Sequence, residues 1–459
     1  MSAAVERELR ALLGDDAIGD AGDGRWWRDA TEAQGLEARP DAVVLPADTE
    51  QVRAAVAWCY AHDVAIVPRG GGSGFSGGAV PIGGGVVVAL DRMTRVRQFD
   101  PLLWRIEVEA GLRTNELRRL ARENGLLFPP DPGAAEQSQL GGNIATNAGG
   151  PHAFKYGVTG RWVTGLEAVM PPGEVIRVGG PLRKDVAGYD LKSLLIGSEG
   201  TLGIVTAAWL RLTPAPEAAA PVAALYGSVA DGCAAIERVL GSGVEPAAIE
   251  YLDAGALRAA RDAWPPAAGA LDEQAAFMVL TEADGSAAET ARVATELREA
   301  LADGALAVHA PTAPGDVAAL WRWRDGVSIA VTAQRGGKMS EDVAVPLDRL
   351  AEAIEAVLEI GARHDLEACS WGHAGDGNLH ATFLIDRRDA AAVARAEAAA
   401  VELFQLAGRL GGTISGEHGL GWVKRGHLGE QWSPATLSVH RAIKQAIDPK
   451  NLMNPGKKT

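Results

Sequence analysis

The first half of the chain alternates short apolar runs with glycine clusters and two segments of helical periodicity. Runs rich in β-branched residues and bounded by turn residues predict four strands: Val64–Pro68, Val86–Leu90, Arg105–Ala110 and Gly203–Leu212. The helical segments are Thr49–Asp63 and Thr114–Asn124. Each begins at a threonine and carries an acidic residue in its first turn, which is typical of a capped helix N-terminus.

The second half has longer, alanine-rich helices between its strands. Apolar side chains fall on one face of a predicted helix at Leu347–Gly361, and strands are predicted at Ala275–Ala283 and Glu341–Pro346. Between the two halves, the segment Thr213–Leu225 contains three prolines and predicts a linker. The pattern as a whole predicts an α+β protein with a boundary near residue 215.

Composition and charge narrow the class of protein. The chain has 459 residues, 47% of them hydrophobic and 22% charged, which suits a globular protein of two or three domains. Its formal charge of −15 and the absence of a Lys/Arg-rich run argue against nucleic acid as a partner. Residues 1–16 read as an amphipathic helix, not a signal peptide, and no apolar run reaches the roughly 18 residues of a membrane span. Three scattered cysteines, Cys59, Cys233 and Cys369, indicate reduced thiols in a cytoplasmic protein.

The run RGGGSGFSGG, residues 69–78, is the first candidate for chemistry. Gly72, Gly74 and Gly77 match the spacing of a Rossmann dinucleotide fingerprint, which requires a helix after the glycines. Here seven residues rich in proline and glycine lead directly into the strand at Val86, too few for a helical crossover, so a Rossmann NAD site is rejected. Consecutive glycines can instead form a nest of N–H groups for an anion such as pyrophosphate. The alternative is a glycine-rich surface turn.

Two later segments contain histidines beside acidic residues. SWGHAGDGNLHATF holds His373 and His380, and SGEHGLGWVKR holds Glu417 and His418. Two imidazoles and a carboxylate suit a divalent metal such as Zn²⁺ or Mn²⁺, and the glycines between the histidines permit a bend that brings both rings to one point. The alternative is a hydrogen-bonded polar core.

Four segments together resemble the FAD-binding domain of the vanillyl-alcohol oxidase and p-cresol methylhydroxylase superfamily: the glycine loop, Pro129–Gly150, Lys184–Thr206 and the C-terminal NPGK. With the two histidine segments, residues 38–457 resemble the FAD-linked 2-hydroxy-acid dehydrogenases. That family includes D-lactate dehydrogenase, the glycolate oxidase flavin subunit and D-2-hydroxyglutarate dehydrogenase.

The resemblance implies a two-part FAD-binding domain followed by an α+β substrate domain with an antiparallel sheet. The expected boundaries are a helical N-terminal extension at 1–37, the FAD-binding domain at 38–215, the substrate or cap domain at 216–430, and a C-terminal segment at 431–459 that returns to the flavin.

The resemblance also implies which residues contact FAD. The glycine loop would wrap the pyrophosphate, and because it has no His or Cys for attachment we expect the cofactor to be non-covalent. The expected contacts are Pro68, Arg69, Gly70, Gly71, Gly72, Ser73, Gly74, Ser76, Gly77, Asp131, Ser138, Gly142, Asn143, Thr146, Gly149, Gly157, Glu199, Gly200, Gly203, Ile204, Val205 and Asn454.

In this family His373, His380 and Glu417 would bind Zn²⁺ or Mn²⁺, and His418 would be the general base. A metal lowers the pKa of the substrate hydroxyl, an imidazole takes its proton, and the α-hydride passes to flavin N5. The alternative for His418 is a fourth ligand or a residue hydrogen-bonded behind the ligands.

The resemblance assigns the substrate carboxylate to Arg324, Ser328 and Lys338, although Ser328 replaces the Thr of hydroxyglutarate enzymes and the lysine spacing does not align. The sequence predicts Arg324 on a helix, with Arg335 and Lys338 in the loop beyond it. The alternative for these charges is a solvated helix face. Thr382 stands where hydroxyglutarate enzymes carry Asn, which favours a monocarboxylic substrate such as D-lactate or glycolate.

Three other functions stay open: a sugar or alcohol oxidase that uses O₂, a D-2-hydroxyglutarate dehydrogenase, and a flavin-carrying subunit without its own activity. The electron acceptor is expected to be an electron-transfer protein, a quinone or O₂. Two assemblies stay open, a homodimer and a larger redox complex. The alternative to a free cytoplasmic protein is one that partners hold at the inner face of a membrane.

Overall fold

The computed structural model describes residues 2–31, 35–265 and 271–458, which form two compact units. Unit 1 contains Met1–Gly150, Gly157–Ala215 and Glu417–Thr459, and unit 2 contains Pro151–Tyr156 and Pro216–Gly416. The chain thus changes unit after Gly150, Tyr156, Ala215 and Gly416, whereas the expected domain limits lie at residues 37, 215 and 430. Those domain limits stay predictions.

The first sheet of unit 1 contains β1 Ile18–Gly19, β2 Ala42–Val44, β3 Ile66–Arg69 and β4 Val86–Ala89. The strand order is β1-β2-β4-β3, and β3 and β4 are parallel neighbours. Residues 70–85 connect them without a helix and include the glycine loop. This connection agrees with the rejection of a Rossmann turn, in which a helix would follow the glycines.

The second sheet of unit 1 has the strand order β5-β6-β10-β8-β9. A separate two-stranded ribbon pairs β7 with β11. Every pair of neighbours in both is antiparallel. The bounds are β5 Val96–Asp100, β6 Arg105–Glu109, β7 Leu126–Leu127, β8 Val163–Met170, β9 Glu174–Gly179, β10 Ile204–Arg211 and β11 Thr213–Pro214. The strands predicted in this half are therefore present, with ends shifted by one or two residues.

The helices of unit 1 are α1 Ser2–Leu13, α2 Thr49–Ala61, α3 Thr114–Glu123, α4 Leu140–Thr146, α6 Leu191–Leu195 and α14 Pro434–Ile447. The predicted threonine caps are wrong. Asp48 caps α2, because its carboxylate accepts from the Gln51 amide at 2.9 Å, and α3 has no side-chain cap. Both threonine hydroxyls bind other segments instead, one to Glu167 and the other to Ser138.

Unit 2 contains one seven-stranded antiparallel sheet in the order β15-β12-β14-β13-β17-β18-β16. The strands are β12 Ala218–Tyr226, β13 Ala248–Asp253, β14 Phe277–Gly285, β15 Ala307–His309, β16 Lys338–Ala344, β17 Glu367–His373 and β18 Asn378–Leu384. The large antiparallel sheet and the mixed content confirm the α+β prediction.

Helices cover both faces of this sheet: α5 Ala153–Tyr156, α7 Val229–Gly241, α8 Ala254–Ala260, α9 Ala287–Ala302, α10 Pro314–Asp325, α11 Val327–Arg335, α12 Leu350–Arg363 and α13 Ala390–Arg409. An apolar core joins α8, α10 and α11 to one face through Leu257, Trp323 and Val331. No helix in the described ranges is both long and apolar enough to cross a membrane.

Two local predictions in this part of the chain are wrong. The predicted linker Thr213–Leu225 is mostly strand β12, because Pro221 lies outside the residues that β15 covers and so removes no donor on that side. Arg335 and Lys338, predicted in a loop, end α11 and begin β16.

A buried carboxylate ties α2 to the second sheet of unit 1. Glu167, 6% exposed, accepts hydrogen bonds from Thr49 Oγ1 at 2.7 Å, Arg97 at 2.9 Å, Thr206 at 3.0 Å and Arg177 at 2.6 Å. Burial alone would raise its pKa, but Thr49, Arg97 and Thr206 together lower it to about 2.

We expect Glu167→Gln to destabilise unit 1 by about 2 kcal/mol at pH 7, a value reduced for solvent screening. The folded pKa lies below the unfolded one, so the stabilisation is present above about pH 4.5 and disappears as the pH falls through about 2. Urea unfolding at several pH values measures it. Glu107→Gln, whose carboxylate lies 3.8 Å from Arg97, is the matched control. A difference between wild type and Glu167→Gln that is equal at pH 7 and pH ~2 would contradict the assignment.

Candidate active site

A cleft in unit 1 is lined by four segments that are distant in the chain. It encloses about 1270 Å³, solvent at its mouth included. The segments are residues 68–79, 132–149 and 198–205, together with Glu417 and His418. The cleft therefore brings the glycine loop, the amide-rich segment and the predicted general base into one space.

The glycine loop presents its backbone to the cleft. The amide groups of Gly71 to Ser76 donate no hydrogen bond to any described residue. Gly72 has φ +67° and lies directly over the guanidinium of Arg69, while a Cβ on Gly74 would meet nothing within 4 Å. Unpaired amides in a concave loop suit an anion, so the loop fits a pyrophosphate.

The side chain of Arg69 packs under the glycine loop, on the side of the Gly72 backbone. Its guanidinium is buried and donates to the carbonyl oxygens of Arg25 at 2.8 Å and Ala79 at 3.4 Å. Burial lowers the pKa of Arg69, and the nearby carboxylates of Asp29 and Asp91 oppose that effect. The side chain thus fixes both ends of the loop.

The second wall approaches the loop backbone to backbone. A Cβ on Gly70 would lie 3.3 Å from the Gly142 Cα, a tight approach, whereas a Cβ on Gly142 would make an ordinary contact with Gly70 at 3.9 Å. Asn143 donates to Thr114 Oγ1 at 2.6 Å, and Thr114 in turn bonds to Ser138. Gln139 lines the cleft with a buried side-chain oxygen that has no partner among the described residues. An orphaned acceptor and a close, flat wall fit a bound ring system with a donor group.

The third wall holds the predicted base. Glu199 has φ +53°, and its carboxylate accepts from the amides of Leu420 at 2.9 Å and Gly421 at 2.7 Å. Ser76 Oγ donates to the His418 carbonyl at 3.1 Å. The His418 ring lies against Phe75, with their centroids 4.8 Å apart. These contacts fix His418 at the edge of the glycine loop.

Most of the expected cofactor contacts line this cleft, but four do not: Gly77, Asp131, Gly157 and Asn454. Gly77 and Gly157 have positive φ and shape the chain next to the cleft. Asn454 donates to the carbonyls of Gly78 at 3.0 Å and Glu199 at 2.8 Å, so it braces two walls from behind. Several residues that line the cleft were not among the expected contacts, including Asp29, Phe75, Gln139 and Ser198.

Unit 2 places two of the predicted ligands side by side. His373 ends β17 and His380 lies in β18, and their ring centroids are 5.4 Å apart. His373 Nδ1 and the carboxylate of Glu250 in β13 lie 2.7 Å apart, and Glu250 also forms an ion pair with Arg324. A histidine held through Nδ1 by a carboxylate directs Nε2 toward a metal.

Glu250 was not predicted. It lies in β13, and the cross-strand register pairs it with His373. Nothing in its local sequence indicates a functional carboxylate. Because Arg324 pairs with Glu250 and is mostly buried, it is not part of a solvated helix face.

The other two predicted substrate residues lie next to each other. Lys338 Nζ donates to Ser328 Oγ at 2.5 Å and lies 5.0 Å from the Trp371 ring centroid. Between β16 and its neighbour β18, Ser340 and Thr382 share a hydrogen bond of 2.8 Å.

The short segment Pro151–Tyr156 was expected in the FAD-binding domain but belongs to unit 2. His152 Nε2 lies 2.9 Å from Glu282, and Lys155 and Tyr156 each donate to Asp284 at 2.5 Å. These two carboxylates of β14 were also missed, because only the fold brings them to this segment.

Two family profiles match the chain. The one described as "FAD binding domain" matches residues 40–179, and the one described as "FAD linked oxidases, C-terminal domain" matches residues 215–458. The chain is 37% identical over 455 residues to the "Glycolate oxidase subunit GlcD" of Bacillus subtilis (99% of this chain, 96% of the relative). It is 32% identical to the "D-lactate dehydrogenase" of Anaerostipes hadrus (98% and 94%). It is 36% identical to the "D-2-hydroxyglutarate dehydrogenase" of Xanthomonas citri pv. viticola (91% and 89%).

Solved structures show the same fold at lower identity. A 4-ethylphenol oxidase from Gulosibacter chungangensis superposes with a TM-score of 0.81 at 21% identity, covering 99% of this chain and 96% of that one. The p-cresol methylhydroxylase structure has the same TM-score and coverage at 18% identity. The fold and the family are thus both confirmed: this chain belongs to the FAD-linked oxidases, flavin-dependent oxidoreductases with the vanillyl-alcohol oxidase and p-cresol methylhydroxylase fold.

Proposed function

We propose that this enzyme oxidises a small D-2-hydroxy acid, of the D-lactate or glycolate type, to the 2-oxo acid. The observation that carries the proposal is that His418 is fixed at the edge of a cleft suited to FAD. The names of relatives that cover nearly the whole chain, a glycolate oxidase subunit and a D-lactate dehydrogenase, support the same reaction.

The cleft residues suit non-covalent FAD. The unpaired amides of the glycine loop would hold the pyrophosphate, and Gly142, Asn143 and Gln139 would lie along the rest of the cofactor. When bound, FAD supplies the hydride acceptor that the side chains of this protein lack.

His373 and His380 are the proposed ligands of a divalent metal, Zn²⁺ or Mn²⁺. The carboxylate of Glu250 fixes His373 so that its Nε2 is the ligand atom. We assign the third ligand to Glu417 from its sequence motif. When bound, such a metal would lower the pKa of the substrate hydroxyl and orient the acid.

His418 is the proposed general base. An imidazole accepts a proton near neutral pH, and the Ser76 contact and the Phe75 ring hold this one in place. The alternative for His418 is a fourth metal ligand, and the two roles differ in whether its loss removes metal.

Arg324 is the proposed clamp for the substrate carboxylate. Arg324 retains guanidinium nitrogens beyond its pair with Glu250, and an arginine fork suits a carboxylate. Lys338 already binds Ser328, and Thr382 binds Ser340, so neither is held ready for a second substrate carboxylate. This favours a monocarboxylic acid over D-2-hydroxyglutarate, the second candidate, whose dehydrogenase is 36% identical.

Electrons must leave through an acceptor that we propose to be an electron-transfer protein, a quinone or O₂. Two relatives are named as subunits, which supports membership of a larger redox complex. We place the protein in the cytoplasm.

D-Lactate or glycolate should bleach the flavin of the purified enzyme under anaerobic conditions. L-2-hydroxy acids and D-2-hydroxyglutarate should bleach it much more slowly, because the clamp suits one carboxylate on one face. Stopped-flow absorbance of the oxidised flavin measures the rates. If D-2-hydroxyglutarate, or an alcohol or sugar without a carboxylate, bleaches the flavin fast, the proposed substrate class is wrong.

His380→Ala should lose bound metal and slow flavin reduction together. Glu250→Gln leaves both histidines in place but should weaken metal binding about 10- to 100-fold, because His373 loses the carboxylate that orients its ring. Metal content by mass spectrometry and metal titration of the apo form measure both effects. His364→Ala is the control, since that histidine pairs with Glu402 elsewhere in unit 2. Full metal content in His380→Ala would refute the ligand assignment.

His418→Ala should keep FAD and metal and slow flavin reduction by roughly 10²- to 10⁴-fold, the usual contribution of a general base. The measurement is the single-turnover rate of flavin reduction as a function of pH. The wild-type rate should depend on the ionisation of a basic group, and this dependence should be absent in His418→Ala. His440→Ala, on α14 and stacked on Trp432, is the matched control. If His418→Ala loses its metal instead, His418 is a ligand.

A further inference from the structure

One surface of unit 1 combines strongly exposed apolar side chains with arginines. It is formed by the turn at residues 101–104 and the loop at 181–190, which meet where Arg105 donates to the Pro181 carbonyl at 3.3 Å. We call it the cationic apolar patch and define it by Leu102, Trp104, Arg183, Val186, Tyr189 and Arg211. None of these residues lines the cleft.

Three apolar members of the patch are almost fully exposed, while the fourth, Trp104, is 39% exposed. Leu102 is 86% exposed, Val186 98% and Tyr189 95%, against 76% for Ile329, the next most exposed large apolar residue in the described ranges. They occupy the tips of two loops rather than a continuous flat face. Leaving such groups in water is unfavourable, so they point to a partner that takes up separate protruding side chains.

The cationic members lie on tryptophan rings. The Arg183 guanidinium lies 5.6 Å from the Trp104 ring centroid, and Arg211 lies 4.6 Å from that of Trp162. Burial lowers the pKa of Arg211, and the positive charges of Arg161 and Arg183 lower it further. Within the described ranges, these three arginines form no ion pair with a carboxylate.

The nearby carboxylates are directed elsewhere. Asp100 pairs with Arg105 at 3.4 Å. Asp185 accepts from the Ala187 amide, and Asp190 caps α6 through the Ser193 amide while lying 3.5 Å from Lys192. The arginine cluster is therefore a local excess of positive charge on a chain whose formal charge is −15.

We propose that the cationic apolar patch docks this protein directly on an anionic phospholipid surface. Leu102, Val186 and Tyr189 would enter the headgroup region, and the arginines would bind lipid phosphates. Trp104 has the amphipathic ring that favours this depth. Because the rest of the chain is acidic, an anionic surface would repel it and orient the protein with this patch inward.

An acidic protein partner is the competing occupant. A protein interface is typically a contiguous, close-packed area around a buried centre. Here the most exposed apolar groups are separate loop tips, which a deformable lipid interface accommodates without matching pockets. The geometry and the unpaired arginines together favour the lipid surface.

The test is co-flotation of the FAD-loaded protein with vesicles of phosphatidylcholine containing about 30% phosphatidylglycerol, compared with phosphatidylcholine alone. Wild type should float with the anionic vesicles only, and less at about 300 mM than at about 50 mM salt. Arg183→Glu with Arg211→Glu should reduce partitioning on the order of a hundredfold, since each cation near the surface contributes several-fold. Val186→Ser with Tyr189→Ser should reduce it several-fold at both salt concentrations.

Matched controls come from unit 2. Arg388→Glu reverses a charge that is 90% exposed, and Ile329→Ser removes an apolar side chain that is 76% exposed. Both should float like wild type, and every variant should retain its flavin spectrum, which shows that it is folded. If wild type does not float with anionic vesicles, or if the patch variants float as well as the controls, the proposal is wrong. Binding to an acidic protein without vesicle binding would overturn it in favour of the competing occupant.

Discussion

The cleft depends on one buried carboxylate, that of Glu199. Its backbone adopts φ +53°, a conformation that a residue other than glycine rarely takes without compensation. The compensation is visible in its partners: the carboxylate accepts from the Leu420 and Gly421 amides, and the carbonyl accepts from Asn454. A buried carboxylate requires such donors, and the donors here belong to the segment that carries His418. Glu199 therefore holds the segment of the proposed base, in addition to the contacts that His418 itself makes with Ser76 and Phe75.

Buried polar side chains near the C-terminus also hold the chain next to the glycine loop. Lys457 is fully buried and donates to the Val80 carbonyl at 2.5 Å and to Asn454 Oδ1 at 2.7 Å. Burial lowers its pKa to about 7, against the opposing charges of Asp29 and Glu199. Lys444, also buried, donates to the Thr201 and Met453 carbonyls. The last residues of the chain thus brace two walls of the cleft, and Asn454, an expected cofactor contact, takes part in this bracing.

The sequence predicts well the features that depend on residues close together in the chain. Glycine-rich loops, helix periodicity and the two histidine segments depend on local spacing, so the strands around the glycine loop and the placement of His418 beside it follow from the sequence and the family resemblance. Glu250 could not be found this way, because it lies 123 positions from His373 and only the pairing of β13 with β17 joins them. The linker prediction around Pro221 was wrong for the same reason, because a proline is tolerated in β12 only where the neighbouring strand β15 does not pair with it.

The role of Glu250 limits what its two partners can do. Its carboxylate lies beside a histidine Nδ1 and a guanidinium at once, and it holds the His373 ring in the tautomer that presents Nε2 as the lone-pair nitrogen. Arg324 gives this buried carboxylate a cationic partner; without it, Glu250 would be left buried with no opposing charge. Arg324 is therefore first a positioning residue for the histidine pair, and any contact it makes with a substrate carboxylate uses the guanidinium edge that Glu250 leaves. A substrate acid bound there would share one cation with Glu250, which couples the orientation of the substrate to the orientation of the proposed metal ligand.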